Sequence, residues 1–289
     1  MKTLTAAAVQ DAVRELCIKA ATQLPGDVAV ALIKARKAEG SPLGQEILGA
    51  IVENAKLSST ERIPICQDTG VTYVFLEVGQ DLNITEGNLV EAVTQGVAQG
   101  YTEGYLRKSV VKDPLFDRSN TGDNTPPLIH VEIVPGSDLT ITVLPKGTGS
   151  ENMSGLAMLT PAAGVAGVRT FVLDTVSKGA ANACPPLVVG VGVGGMMDTA
   201  AYLAKKAILR PVGASNPDPK VAELERDLLF EINALGVGPG GLGGTTTALA
   251  VHIETHPTHI GALPVAVNLQ CHAARRAAAT LRGEEVVAK

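Results

Sequence analysis

The sequence offers little with which to build an aromatic core or a one-signed surface. Its 289 residues contain no Trp, four Tyr and four Phe, so aromatics reach only 3%. A core must come from Ala, Val, Ile and Leu, and a chain this long can build a large one, as one big domain or two small ones. Lys/Arg runs are absent, and 24 basic against 29 acidic residues leave a net charge of −5. With few aromatic faces for stacking, this excludes an ordinary nucleic-acid binder. No uninterrupted apolar run reaches the roughly 18–20 residues of a membrane span. The most apolar stretch, 185–197, is short and broken by glycines at 190, 192, 194 and 195. Near the N-terminus, Asp11 and Glu15 fall where a signal peptide needs its apolar stretch. A soluble, cytoplasmic protein with no membrane or nucleic-acid partner is expected. Glycine is plentiful (31 residues) but clustered in loops, which excludes a low-complexity or disordered chain.

The pattern predicts a mixed α/β fold in a single domain, with a helical N-terminal part (1–57) packed on a β-rich lobe (58–289) whose Gly-rich turns carry three of the cysteines. Val9, Val13, Leu16, Cys17 and Ala20 share one face of a first helix. Asp27 is expected to cap a second helix, and Ser41 before Pro42 a third. Short strands are expected at 63–66 and 71–78 around the turn Gln67-Asp68-Thr69-Gly70, and Thr85 as the cap of a helix to about Tyr105. Ile129, Val131 and Ile133 alternate with polar neighbours, 135–138 turns, and Leu139, Ile141 and Val143 alternate back, predicting a hairpin. The segment KGTGSENMSG (146–155) reads as a polar loop. Further expectations are helices ending near 178 and spanning 198–209 and 221–235, strands at 187–191, 246–253 and 263–269, and a closing basic helix over 272–282.

Three features could carry chemistry. Gly190-x-Gly192-x-x-Gly195 follows an apolar strand and opens a helix, as in a dinucleotide-binding turn, but no second parallel strand ending in an acidic residue follows. The run GVGPGGLGG (236–244) lacks the lysine of a phosphate loop. His252, His256 and His259 have metal-ligand spacing on a helix, yet the context is strand-like and Pro257 interrupts it, so they read as unrelated. The four cysteines, at 17, 66, 184 and 271, suit metal or catalytic use better than disulfides in a reducing compartment. Cys17 belongs to an apolar stripe. The other three stand where the chain turns, and two readings remain open for them: ordinary buried thiols, or converging ligands of an iron–sulfur cluster with one iron lacking a protein ligand.

ICQDTG (65–70), LRKS (106–109), KGTGSENMS (146–154), ACPP (183–186) and HIGALPVAVNLQCHAARR (259–276) occur in order along nearly the whole chain. In these motifs the sequence resembles the α chain of the class I, iron–sulfur fumarate hydratases, a family shared with the L(+)-tartrate dehydratases. The resemblance implies a [4Fe-4S] cluster held by Cys66, Cys184 and Cys271, with its open iron binding substrate. It implies Asp68 and His259 as catalytic groups that pass protons, and Gln67, Arg107 and the backbone at Gly149 as substrate contacts. Each role is physically apt, since an Arg fork matches a carboxylate and loop N–H groups bind anions. Single-chain members continue into a second domain. The expectation here is therefore the two-subunit form, a hetero-oligomer whose β subunit completes the pocket and without which the chain is nearly inactive.

The implied function is reversible hydration of fumarate to L-malate (EC 4.2.1.2). L(+)-tartrate dehydration is the alternative within the class, and a non-catalytic iron–sulfur carrier or sensor the alternative outside it.

Overall fold

The computed structural model describes residues 2–285. In chain order its helices and strands are β1 Lys2–Thr5, α1 Ala6–Thr22, α2 Gly26–Ala38, α3 Pro42–Glu61, β2 Val71–Gly79, β3 Leu82–Thr85, α4 Leu89–Glu103, β4 Leu128–Val134, β5 Asp138–Lys146 and α5 Thr148–Glu151. Then follow β6 Gly155–Leu159, α6 Gly164–Gly179, β7 Leu187–Gly195, α7 Met197–Ala207, α8 Pro219–Ala234, β8 Ala248–Thr258, β9 Leu263–Gln270, β10 Ala277–Arg282 and β11 Glu284–Glu285. The fold is mixed α/β, with helices leading and most strands later. The chain divides into two compact units: residues 1–24, 57–148 and 275–289, and residues 25–56 and 149–274. Of the N-terminal helices, α1 lies in the first unit and α2 in the second.

In the first unit, the α1 stripe of Val9, Val13, Leu16, Cys17 and Ala20 is buried against Val93, Val97 and Tyr101 of α4 and the inner residues of β2 and β5. Two α4 glycines allow the helices to approach. A Cβ on Gly96 would stand 2.6 Å from the Gln10 carbonyl oxygen, and one on Gly100 2.8 Å from the Cys17 Cβ. By length and composition alone, 6–38 could cross a membrane. It is instead two helices broken at 23–25, with eight residues of α1 buried.

The four-stranded sheet of this unit has the order β10-β5-β2-β4. β4 and β5 are strands as expected, but they are not a hairpin: β2 lies between them, parallel to β4 and antiparallel to β5. Alternation marks the faces of strands and not which strand is the neighbour. The closing basic helix is also corrected. Residues 277–282 are the strand β10, antiparallel to β5, and their exposure alternates. Thr85 ends β3 and donates to the Leu4 carbonyl, so Asn88 caps α4 instead, its Oδ1 accepting from Val90 and Glu91.

The second unit is built on the sheet β6-β9-β7-β8. Val189 and Val191 of β7 and Val265, Val267 and Leu269 of β9 face α6 and α8, while Ala266 meets Ala200 and Ala204 of α7 on the other side. The glycine triplet is explained here. A Cβ on Gly190 or Gly192 would run into the carbonyls of Ala204 and Ala200, so these glycines let α7 lie directly on β7. Asp27 does not cap α2 but accepts from the Val212 N–H (2.7 Å). Ser41 does act at the start of α3, accepting from Gly44. Glu39, just past α2, holds the end of the second glycine loop, its carboxylate accepting from the Thr245 and Thr246 N–H groups, both at 2.8 Å.

Candidate active site

In the first unit the site begins where α3 ends. Residues 63–66 form no strand; Ile65 is buried and its N–H donates to the Ala21 carbonyl (3.0 Å). Cys66 is half-buried, its thiol 3.5 Å from Gln67 Oε1, and Gln67 is exposed. The following turn lies against the end of β5. Gly70 has φ 76°, and a Cβ there would come within 2.5 Å of the Lys146 carbonyl, so only glycine fits.

Nearly every polar atom of this turn is held. Asp68 Oδ1 accepts from the Gly70 N–H (2.9 Å) and Oδ2 from the Thr148 N–H (2.9 Å). The Asp68 carbonyl accepts from Arg275 Nη2 (2.8 Å). The Tyr101 hydroxyl donates to the Thr69 carbonyl (2.7 Å), and Asn124 Nδ2 to that of Gly70 (3.1 Å). Burial pushes the Tyr101 hydroxyl well above the usual phenol range, so it stays a donor.

The same turn fixes Arg107. Thr69 Oγ1 donates to the Arg107 carbonyl (2.8 Å), and Asn124 Oδ1 accepts from the Ser109 N–H (2.7 Å). The Arg107 side chain is exposed. A carboxylate and an exposed guanidinium are thus carried on two segments joined by one direct hydrogen bond and bridged by Asn124, an arrangement that can bind an anion and move a proton.

In the second unit, a 3₁₀ turn over 180–183 ends at Cys184, which is exposed and left-handed (φ 55°, ψ 67°). That conformation is uncommon for a side-chain-bearing residue, and such outliers concentrate at functional sites. The Cys184 carbonyl accepts from the His272 N–H (3.1 Å), which brings the Cys271 segment beside it. Cys271 is half-buried. Two of the three cysteines are therefore adjacent in one unit, while Cys66 belongs to the other. Among the described residues, no group of three or more His, Cys, Asp or Glu side chains is arranged to hold a metal ion. Nor are the cysteine turns glycine-rich. Cys17, as expected, is core: burial pushes its thiol up to about 12.

Gly149 is exposed within α5, and a Cβ there would make only an ordinary contact, 3.9 Å from the Asn182 carbonyl oxygen. The segment after it is anchored. Glu151 accepts from Lys205 Nζ (2.5 and 2.6 Å) and Asn268 Nδ2 (2.9 Å), and Ser154 Oγ accepts from the Leu269 N–H (3.1 Å). His259 is exposed after β8, its Nδ1 accepting from the Gly261 N–H (3.1 Å), so the neutral ring carries its proton on Nε2. His252 is buried on β8 with Nδ1 at 3.2 Å from the Ala207 carbonyl, and His256 is exposed; the three histidines form no common site.

Sequence reasoning missed Tyr101, Asn124, Lys205, Glu151 and Arg275. Glu151 and Arg275 lie inside the matched motifs and could have been singled out there. Asn124 sits in a polar loop with no distinguishing signal.

The sequence model of the family described as Fumarate hydratase (Fumerase) matches residues 10–280. A Methanocaldococcus jannaschii protein with the provisional name L(+)-tartrate dehydratase subunit alpha is 43% identical over 274 residues, covering 93% of this chain and 96% of its own. The L(+)-tartrate dehydratase subunit alpha of Escherichia coli is 39% identical over 259 residues, covering 88% of this chain and 84% of its own. That of Shigella sonnei is 38% identical over the same length. With the motifs in place from end to end, the chain belongs to the iron–sulfur hydro-lyase family of fumarate hydratases and L(+)-tartrate dehydratases.

Proposed function

We propose that this chain is the α subunit of a two-subunit hydro-lyase that removes water from L(+)-tartrate, with fumarate and L-malate as the second reading. The observation that carries the substrate choice is the naming of the relatives given above, tartrate dehydratase α subunits at 38–43% identity. The family description favours fumarate and keeps that reading alive. Both substrates are four-carbon dicarboxylates, and both suit an exposed Arg107 beside an oriented Asp68.

By the chemistry of the donors, three thiols, we assign the chain a [4Fe-4S] cluster. Cys184 is exposed, Cys66 and Cys271 are half-buried, and Cys184 has an outlying backbone conformation, whereas the fourth cysteine is buried core. Cys66, Cys184 and Cys271 would hold the cluster, which would supply Lewis-acid chemistry for the substrate hydroxyl. Arg107 and the Gly149 N–H bind carboxylate, and Gln67 donates or accepts beside them. Asp68 and His259 take and return the proton: in tartrate dehydration C–H and C–O bonds break on neighbouring carbons, and water and the enol of oxaloacetate form. The β subunit completes the pocket.

The test is kinetic. The chain, assembled with its β chain and loaded anaerobically, is given L(+)-tartrate and L-malate. A kcat/KM about tenfold or more higher for tartrate is the expected result. The reverse preference overturns the substrate choice in favour of fumarate. A loaded complex inert toward both, with no spectral response to dicarboxylate, overturns the enzyme reading and leaves a carrier or sensor.

A further inference from the structure

Arg275 stands four residues after Cys271, where the chain returns to the first unit. Its side chain is only 1% exposed. Nη2 donates to the Asp68 carbonyl, while Nε and Nη1 have no hydrogen-bond partner among the described residues. As scaffolding this is a poor choice. Burying a charge is costly unless it is paired and hydrogen-bonded, and a well-packed apolar side chain in such a place is often as stable or more so. One bond to a neutral carbonyl does not offset that cost, so the guanidinium requires another explanation.

What it adjoins supplies one. A Cβ on Gly147 would stand 3.1 Å from Asp68 Oδ2 and 3.7 Å from Arg275 Nη2, so carboxylate and guanidinium flank the same bare backbone. The positive charge also reaches the Tyr101 hydroxyl, which holds the next carbonyl of the turn. Departures from local economy of this kind are expected where a site is being oriented.

We propose that Arg275 is a positioning residue for the hydro-lyase reaction: by holding the Asp68 carbonyl from a buried position, it fixes the direction of the Asp68 carboxylate. The inference rests on the reading of Asp68 as the proton-passing group, and its test separates the two. In the assembled, loaded enzyme, R275M is expected to lower kcat roughly 10- to 100-fold with KM within about twofold, as misorientation of a reacting group does. Its melting temperature stays equal or rises, and its iron content is unchanged. R275K, which keeps the charge and one donor, recovers part of kcat. In the full α chain without cluster or β chain, the Gly70 and Thr148 amides, both bonded to Asp68, exchange their hydrogens about tenfold faster in R275M.

A wild-type kcat in R275M overturns the proposal. So does a loss of activity that follows the loss of folded protein. If R275M does not fold, R275K decides: lowered kcat with faster Thr148 exchange supports the role, and wild-type values of both overturn it. Should the wild-type complex show no hydro-lyase activity, the functional reading fails, and the exchange measurement still reports whether Arg275 orders the turn.

Discussion

Asp68 and His259 are given the same task, yet the two units hold them very differently. Around Asp68, side chains from α4, the 124 loop and residue 275, together with the start of α5, fix three successive carbonyls and both carboxylate oxygens. His259 is exposed on a loop and held by one bond to a neighbour two residues away. Preorganised groups contribute most because they need no rearrangement as the reaction proceeds. On the proposed reading, the first unit thus brings a preorganised acid–base group, whereas the second presents one that a single local bond orients.

The largest expected effect tests this inequality. In the assembled enzyme, D68N should lower kcat by roughly 10²–10⁴, the usual weight of a positioned acid or base. H259N, replacing a group that a single local bond orients, should cost at most about 10²-fold. Equal losses would break the comparison and mean that assembly orders His259 as firmly as Asp68.

Next comes the ion pair that anchors the Gly149 segment. Lys205 is nearly buried and Glu151 about one-third exposed, so the pair is partly screened. K205M removes the lysine charge that faces Glu151 and should destabilise the chain by about 2–3 kcal/mol, below the 3–5 of a fully buried pair. Denaturant unfolding measures it. The double variant K205M/E151L should lose less than K205M alone, because no charge is then left unpaired.

A smaller effect belongs to the first unit. G100A places a methyl group 2.8 Å from the Cys17 Cβ, where α1 and α4 meet. Overpacking of that size costs about 1–3 kcal/mol, and a lowered melting temperature reads it. Since Tyr101 is the next residue on α4, the Thr69 carbonyl should loosen as well. Unchanged exchange at Gly70 would show that the turn is held well enough without help from helix packing.

Much of this was legible in the sequence, and the failures share a cause. The helices, the buried strand at 187 and the core role of Cys17 follow from periodicity, which reports which face of an element is apolar. The hairpin and the closing helix failed because periodicity does not name a strand's neighbour: β2 intervenes between β4 and β5, and β10 is stabilised as a strand by pairing with β5. At the site, motifs identified the residues that face outward, such as Gln67 and Arg107. They did not reveal what orients them, because Tyr101, Asn124 and Lys205 reach the site through tertiary contacts far along the chain. Sequence alone sets the glycine triplet at 190–195 aside as a dinucleotide turn for want of a second parallel strand; β8 does lie parallel to β7, and it is helix packing that explains Gly190 and Gly192.

Glu39 offers the mildest test, in the second unit and far in sequence from the cysteines. Burial works to raise its carboxyl, but the N–H groups of Thr245 and Ser41, with Thr246 and the Thr245 hydroxyl, outweigh that and bring it from an ordinary 4.5 down to about 2. A folded-state value below the unfolded one means the carboxylate stabilises the fold fully above about pH 4.5, and that this contribution fades as pH falls toward 2. E39Q keeps one acceptor but turns an amide N–H toward backbone donors, and should cost about 1–2 kcal/mol at pH 7. The gap in melting temperature between wild type and E39Q should narrow steadily from pH 5 to pH 2.5. A gap that stays constant would show that shape rather than charge holds the 245–246 backbone, and the second unit's glycine loop would then owe its order to packing alone.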